Sequence, residues 1–299
     1  MSKAKYWFDR AQKEHFAIGA FNAATIETLK AIVFAAQKLK SPVMVEASHG
    51  EATYFGVVEL AKVVRTMEQS YGVPVILNLD HAPSYESCLE AMGAGFDYIH
   101  FDGSKLPIAE NIKITKQIVE HAHARDIMVE GEIDNINVMG ASSSDHRLEN
   151  LSSVRDRKYY TDPEKAADFI EKTGVDTFAS FVGNVHGLYA EVKDIDLELL
   201  QTIKARLGTT LPAGSQVFLS LHGGSGIPDN QISAAIGIGI QKINVNSEIR
   251  IAFRDKLKEV LDRPQENEVA IYKIMPEAIA AMQEIVEAKI KLFGSANKL

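Results

Sequence analysis

Short apolar runs rich in β-formers alternate with amphipathic helical stretches from one end of this chain to the other. The apolar runs fall at residues 18–22, 43–47, 75–80, 98–102, 128–133, 177–182, 217–222 and 242–246. Between them apolar residues recur at helical spacing, as in Leu29, Ile32, Val33, Ala36 and Leu39, or Val57, Leu60, Ala61 and Val64. Further helices are expected near 86–92 and 109–124, from T-D-P-E-K with Pro163 in its first turn, after Asp196, from I-P-D-N, and over 248–261. Strands that alternate with helices lie parallel. Eight such units in about 250 residues predict an α/β fold, a closed (β/α)8 TIM barrel, over an open doubly wound sheet. No internal boundary breaks the rhythm, so residues 1–299 are expected to form one domain, with 268–293 adding a C-terminal helix outside the repeat. A polar stretch at 134–160 interrupts the pattern after the fifth strand, and loops of that length are usually functional or disordered.

Charge and composition narrow the function. A net charge of −8 excludes a general nucleic-acid binder, which needs a basic surface. No apolar run approaches the ~18 residues of a membrane span, and the N-terminal M-S-K-A-K-Y-W-F-D-R has no apolar signal region. The single cysteine, Cys88, permits no internal disulfide, which fits a reducing cytoplasm. A phosphate would have to be held locally, by backbone N–H groups, a metal and a few cations.

The strand ends carry the chemistry. In order they present Asn22; Ser48; Asp80 with His81; Asp102; Glu132; His186 in G-N-V-H-G; His222; and Asn244 with Asn246. In a barrel these C-terminal ends share one face, where such enzymes keep their active sites. Polar groups are expensive inside a barrel, so this convergence points to function. Taken singly, a histidine is more often just hydrogen-bonded; His81, His186 and His222 on one face make a catalytic zinc arrangement with an open position. Asp80, beside His81, suits a general base or a group that orients a ligand. Asp102 and Glu132 can take a second metal position or join an internal ion-pair network, with Glu130 as its structural member. His100 alternates inward with Asp102 and reads as a core histidine. Anion cradles are expected at G-N-V-H-G, at H-G-G-S-G (222–226) and at N-V-N-S (244–247), which leads into a helix.

These residues resemble the class II, metal-dependent ketose-bisphosphate aldolases, the fructose-1,6-bisphosphate and tagatose-1,6-bisphosphate enzymes. The resemblance runs from A-F-N (20–22) to the closing L-F-G-S-A-N-K-L. It includes L-D-H (79–81), F-D-G-S-K-L-P-I-A-E-N (101–111), V-E-G-E (129–132), T-G-V-D (173–176), H-G-L-Y (186–189), H-G-G-S-G and K-I-N-V-N-S-E. It implies zinc on His81, His186 and His222, with Asp102 and Glu132 at a second metal position. Asp80 would act as acid/base on the C4 hydroxyl, cleaving the ketose through a metal-stabilised enediolate to dihydroxyacetone phosphate and an aldehyde phosphate. Asn22, Ser48, Gly187, Gly223, Gly224, Ser225, Asn244, Val245, Asn246 and Ser247 would hold the dihydroxyacetone-phosphate half, with a monovalent cation such as Na+ near the phosphate. A homo-oligomer, a dimer or larger, and a cytoplasmic role in carbohydrate metabolism such as glycolysis complete the implied picture.

The chain departs from the family pattern after the fifth strand. The family reads E-L-G and then a Gly-Gly-x-Glu-Asp segment whose glutamate protonates the carbanion; here stands E-I-D-N-I-N-V-M-G-A-S-S-S-D-H, with Asp145 and Glu149 the nearest candidates. Ala190 replaces a frequent lysine, with Lys193 close by, and Asn246 replaces an aspartate of the fructose-bisphosphate branch. A lysine Schiff-base aldolase needs a lysine inside the barrel, whereas Lys105 and Lys242 are read at a loop and a strand start. A barrel metallohydrolase lacks its His-x-His after the first strand. The altered loop is the one argument for a non-catalytic phosphosugar-binding relative.

Overall fold

A computed structural model describes residues 2–134, 156–187, 194–210, 216–263 and 268–299. Eight parallel strands close into a barrel in sequence order, β1 returning to pair with β8. They are β1 (Ile18–Asn22), β2 (Val43–Ser48), β3 (Val75–Ala82), β4 (Tyr98–Phe101), β5 (Met128–Gly131), β6 (Thr177–Ala179), β7 (Phe218–Leu221) and β8 (Ile240–Val245). The helices are α1 (Lys3–Glu14), α2 (Ile26–Leu39), α3 (His49–Phe55), α4 (Val57–Tyr71), α5 (Tyr85–Ala94), α6 (Ile108–His123), α7 (Pro163–Thr173), α8 (Leu197–Thr210), α9 (Asp229–Ile238), α10 (Ser247–Leu261) and α11 (Ile271–Leu292). The expected (β/α)8 barrel is therefore present. Helix α7 starts where T-D-P-E-K places it, the Asp162 side chain accepting from the Glu164 and Lys165 N–H groups.

Strand alternation divides the interior into two apolar regions. Val43, Val45, Ala47, Val75, Leu77, Leu79, Ile99 and Val129 face the helices in one core, whereas Met44, Ile76, Tyr98, Met128 and Phe218 face the barrel axis in another. That second core is completed by Trp7, Phe8 and Ala11 of α1, a helix the strand–helix count did not anticipate. Its apolar residues sit at helical spacing and pack against β1 and β8, stoppering the N-terminal mouth. Helix α11, expected as an extra element, lies against α2 and α10 and buries Ala278, Met282, Val286 and Ile290.

Most strand bounds shift by a residue or two from the sequence reading, and two of the shifts bear on the site. β6 stops at Ala179 because the next amides leave the sheet: Phe181 N–H donates to Thr161 Oγ1 (2.7 Å) and Val182 N–H to Asn184 Oδ1 (2.8 Å). β8 begins at Ile240, so Lys242 is its third residue and lies wholly buried inside the barrel. The reading of Lys242 as a strand-start residue is thereby corrected.

Above the apolar plug lies a polar tier of Glu46, Asn78, His100, Glu130, Ser220 and Lys242, all with no solvent exposure. Lys242 Nζ donates to Glu130 Oε2 (2.6 Å) and stands 3.6 Å from Glu46 Oε2. One ammonium cannot neutralise two carboxylates. Burial, and then the negative charge of Asp80, push Glu46 up to about 8, while Glu130 stays well below the usual range because Lys242 and nearby histidines outweigh its burial. Glu46 thus keeps a proton in the fold that the unfolded chain releases near its ordinary value, so its stabilising contribution is complete at acid pH and is lost as pH rises through about 8. E46Q should match the wild type in thermal denaturation at pH 5 and melt above it at pH 9. The opposite order at pH 9 would show an ionised Glu46 sustained by Lys242.

Candidate metal centre

Asp80 and His81 are neighbours in β3, and regular pleating would aim them at opposite faces. The strand solves this with an irregularity: its register with β4 shifts between Leu79 and Ala82, and His81 takes a left-handed backbone with φ of 49°. A non-glycine residue there is strained by roughly 1–2 kcal/mol. The bulge turns both side chains toward the barrel mouth, where the His81 ring meets those of His100 (4.4 Å between centroids), His222 (4.9 Å) and His186 (5.2 Å).

The rings of the three histidines singled out by sequence are neighbours at the barrel mouth. The His186 and His222 rings are 5.9 Å apart, edge to face. His222 Nδ1 faces His81 Nε2 at 3.2 Å. Their other nitrogens are occupied, His222 Nε2 by Glu130 Oε1 (2.8 Å) and His81 Nδ1 by Asp102 Oδ2 (3.2 Å). With those partners holding the other edges, His222 Nδ1 and His81 Nε2 are the nitrogens turned toward a shared cation once the His81 proton is displaced. Two nitrogens on one tetrahedral zinc, each at 2.0–2.1 Å, stand about 3.3 Å apart, so the pair fits such an ion. Among the described residues, ligand atoms within 4.8 Å of one another define two sets: Asp80, His81, His100 and His222, and His81, Asp102 and Glu132. The second brings together Asp102 and Glu132, the two carboxylates grouped from the sequence, with His81 Nδ1 3.6 Å from Glu132 Oε1. His186 belongs to neither set and stands further out.

Electrostatics favour different charge states within this cluster. Burial above all, with Lys242 and His100 adding to it against the pull of Glu130, lowers His222 to about 3, so its imidazole is neutral and ready to ligate. Burial opposes charge on His81 too, but Asp80, Asp102 and Glu132 raise it well above its ordinary value; metal must displace that proton. Asp80 would be pushed up by burial, yet His81, His100, Lys242 and His222 hold it well below the usual carboxylate range. Asp102 is likewise held low despite burial, by Glu132 and His81, whereas burial and Asp102 raise Glu132.

The layer beneath was only partly foreseen. Glu130 was read as a structural partner of Glu132, and it accepts from Lys242, Tyr98 Oη (2.9 Å), His222 and the Ser220 hydroxyl. Glu46 Oε2 accepts from Asn78 Nδ2 (3.2 Å) and Asn244 Nδ2 (3.1 Å). Counting back two residues from Ser48 and Asp80 reaches Glu46 and Asn78, polar letters in apolar strands that sequence reasoning passed over. His100 is fully buried, as a core histidine should be, yet it also touches the site: Nδ1 lies 3.3 Å from Asp80 Oδ1.

The expected phosphate end forms one small cleft lined by Asn22, Asp80, His186, Gly187, Gly223, Ser225, Asn244, Asn246 and Ser247. Gly223 has φ of 61°, and a Cβ there would run into the Val185 carbonyl, so only glycine serves. Three expected contributors are placed otherwise. The Gly224 N–H donates to the Asn244 carbonyl (2.9 Å) and Val245 packs into the outer core. The Ser48 hydroxyl donates to Glu51 Oε2 (2.9 Å), which closes a capping box on α3 and also accepts from Asn22 Nδ2 (2.9 Å). Asp145, Glu149, Ala190 and Lys193 lie outside the described residues.

The family model described as fructose-bisphosphate aldolase class-II matches residues 2–298. A fructose-bisphosphate aldolase of Streptococcus pneumoniae is 36% identical over 307 residues, covering 99% of this chain and 98% of that protein. A 6-phospho-5-dehydro-2-deoxy-D-gluconate aldolase of Shouchella clausii is 37% identical over 291 residues, covering 96% and 92%. Among solved structures, the YdjI aldolase of Escherichia coli K12 superposes with a TM-score of 0.82 at 32% identity, covering 99% of this chain and 98% of that one.

The buried lysine offers a direct check on the alternative chemistry. Burial disfavours its charge, but Glu130, Glu46 and Asp80 raise Lys242 above its ordinary value, which leaves no free amine for a Schiff base. Borohydride with a ketose phosphate should leave Lys242 unmodified by mass spectrometry. K242M should lower stability by about 3–5 kcal/mol in denaturant titrations, since it strands a buried carboxylate.

Proposed function

This chain belongs to the class II fructose-bisphosphate aldolase family, and from that premise we propose that it is a zinc-dependent aldolase for a ketose 1,6-bisphosphate. The first-choice substrate is fructose 1,6-bisphosphate, cleaved reversibly to dihydroxyacetone phosphate and an aldehyde phosphate. The observation that carries this reading is the confrontation of His81 Nε2 and His222 Nδ1 at 3.2 Å beside the Asp80 carboxylate. His81, His186 and His222 would hold the catalytic ion, with Asp102 and Glu132 serving a second position. When bound, a divalent ion there supplies Lewis acidity to the carbonyl end of the substrate and offsets the charge left on breaking the carbon–carbon bond.

The chain's own groups do the rest. Asp80 Oδ1 is engaged by His100 and Asn244 Nδ2 (3.3 Å), which leaves Oδ2 to take the C4 hydroxyl proton. Loss of that proton lets the C3–C4 bond break, with the electron pair remaining on C3. Gly187, Gly223, Ser225 and the start of α10 at Ser247 line the end of the cleft suited to the phosphate, where helix N–H groups favour an anion and a monovalent cation such as Na+ can share the charge. We assign this activity to a cytoplasmic homo-oligomer.

One comparison favours a second reading. The relative named for 6-phospho-5-dehydro-2-deoxy-D-gluconate is as similar as the one named for fructose bisphosphate, 37% against 36%. Asn246, where the fructose branch carries aspartate, lines the cleft. A phosphoketose other than fructose bisphosphate, tagatose 1,6-bisphosphate included, is the alternative.

A coupled cleavage assay over a panel of ketose mono- and bisphosphates, with and without chelator, should show turnover that chelator abolishes and zinc restores. H222A should lose metal and activity together. D80A should keep its metal and lose turnover by several orders of magnitude; cleavage by D80A at the wild-type rate would remove Asp80 from the mechanism.

A further inference from the structure

His100 is buried without exposure, and its two ring edges are treated differently. Nδ1 stands 3.3 Å from Asp80 Oδ1 and 3.2 Å from the backbone N of His81. Nε2 points toward Glu132 Oε2 at 3.7 Å, and neither atom has a hydrogen-bond partner among the described residues. Among the described residues the Nδ1 edge alone makes contacts of hydrogen-bond length, and Nε2 has only the longer approach to Glu132.

That edge meets the two consecutive residues the site depends on. The terminal torsion of an aspartate is broad, so an untethered Asp80 carboxylate would sample many orientations. Here His100 and Asn244 both engage Oδ1 from within the barrel, while Oδ2 has no partner among the described residues. We propose that His100 is a positioning residue: with its Nδ1–H donating to Oδ1 it fixes the Asp80 carboxylate with Oδ2 toward the substrate. The inference rests on the reading of Asp80 as the acid/base. It assigns His100 no bond to a metal, although its ring shares the four-residue set with His81 and His222.

Amide side chains separate the two edges, because asparagine places a polar atom near the position of Nδ1 and glutamine near that of Nε2. H100L should lose about 10–100-fold in kcat with KM and metal content unchanged, the range usual for groups that orient an active-site residue. H100N should recover most of that loss, and H100Q should do no better than H100L. The visible spectrum of the cobalt-substituted protein should be the same in all three, and a crystal structure of H100L should show Asp80 rotated about its Cβ–Cγ bond. Wild-type kcat in H100L, equal rescue by asparagine and glutamine, or an unmoved Asp80 would each overturn the proposal. Loss of metal in H100L would make His100 a ligand instead and overturn it as well. If H100L does not fold, the order of H100N and H100Q decides. D80N tests the underlying reading separately: full activity in D80N ends the acid/base assignment, whereas an inactive D80N beside an unimpaired H100L ends only the role given to His100.

Discussion

The contact on which the rest of this structure leans is the ion pair between Lys242 and Glu130 at the middle of the barrel. Two charges with no exposure are tolerable only when every lone pair and proton finds a partner. Glu130 meets that condition: Oε2 takes Lys242 and Tyr98, and Oε1 takes His222 and Ser220. The bond to His222 is the one with chemical consequence, because it commits Nε2 and leaves Nδ1 for the barrel mouth. A carboxylate buried for one purpose thereby sets the tautomer of a candidate ligand above it.

The polar tier also explains why the interior is graded along its axis. Below it, α1 closes the N-terminal mouth with Trp7 and Phe8 against Tyr98 and Phe218, and Phe8 stacks on Tyr98 at 5.6 Å. No water is needed to satisfy that layer, since Tyr98 passes its hydroxyl upward to Glu130. Above it, carboxylates and imidazoles converge in a space sealed from beneath. Charges there interact through a low-dielectric surround, which is why Asp80 and Glu132, both buried carboxyls, are driven in opposite directions by their neighbours.

Much of this was legible in the amino-acid order. Alternating apolar runs and helical faces gave the barrel, and the residue at each run's end gave Asp80, His81, Asp102, Glu132, His186 and His222. Three things escaped for physical reasons. Period-two counting assumes a regular strand, so it could not show that a left-handed residue lets Asp80 and His81 share a face. Helix α1 precedes the first strand and so lies outside a strand–helix rhythm, though Trp7, Phe8 and Ala11 carry its signal. Lys242 looked like a strand-start residue because β8 opens with Ile240 and Gln241, and only the closed barrel shows that its side chain points to the axis.

The bulge and the tier are parts of one device. A strained φ at His81 persists only if the surroundings over-determine it. Those surroundings are identifiable: Asp102 and Glu132 meet one ring nitrogen, and His222, fixed by Glu130, meets the other. Strain at one residue is therefore balanced by a chain of buried polar contacts that ends at Lys242. Such a chain favours a single arrangement of side chains, because shifting any member exposes an unpaired charge or donor in an apolar surround. Aldolases named for different substrates are equally similar to this chain, so the buried chain of contacts and the loops at the barrel mouth can vary separately.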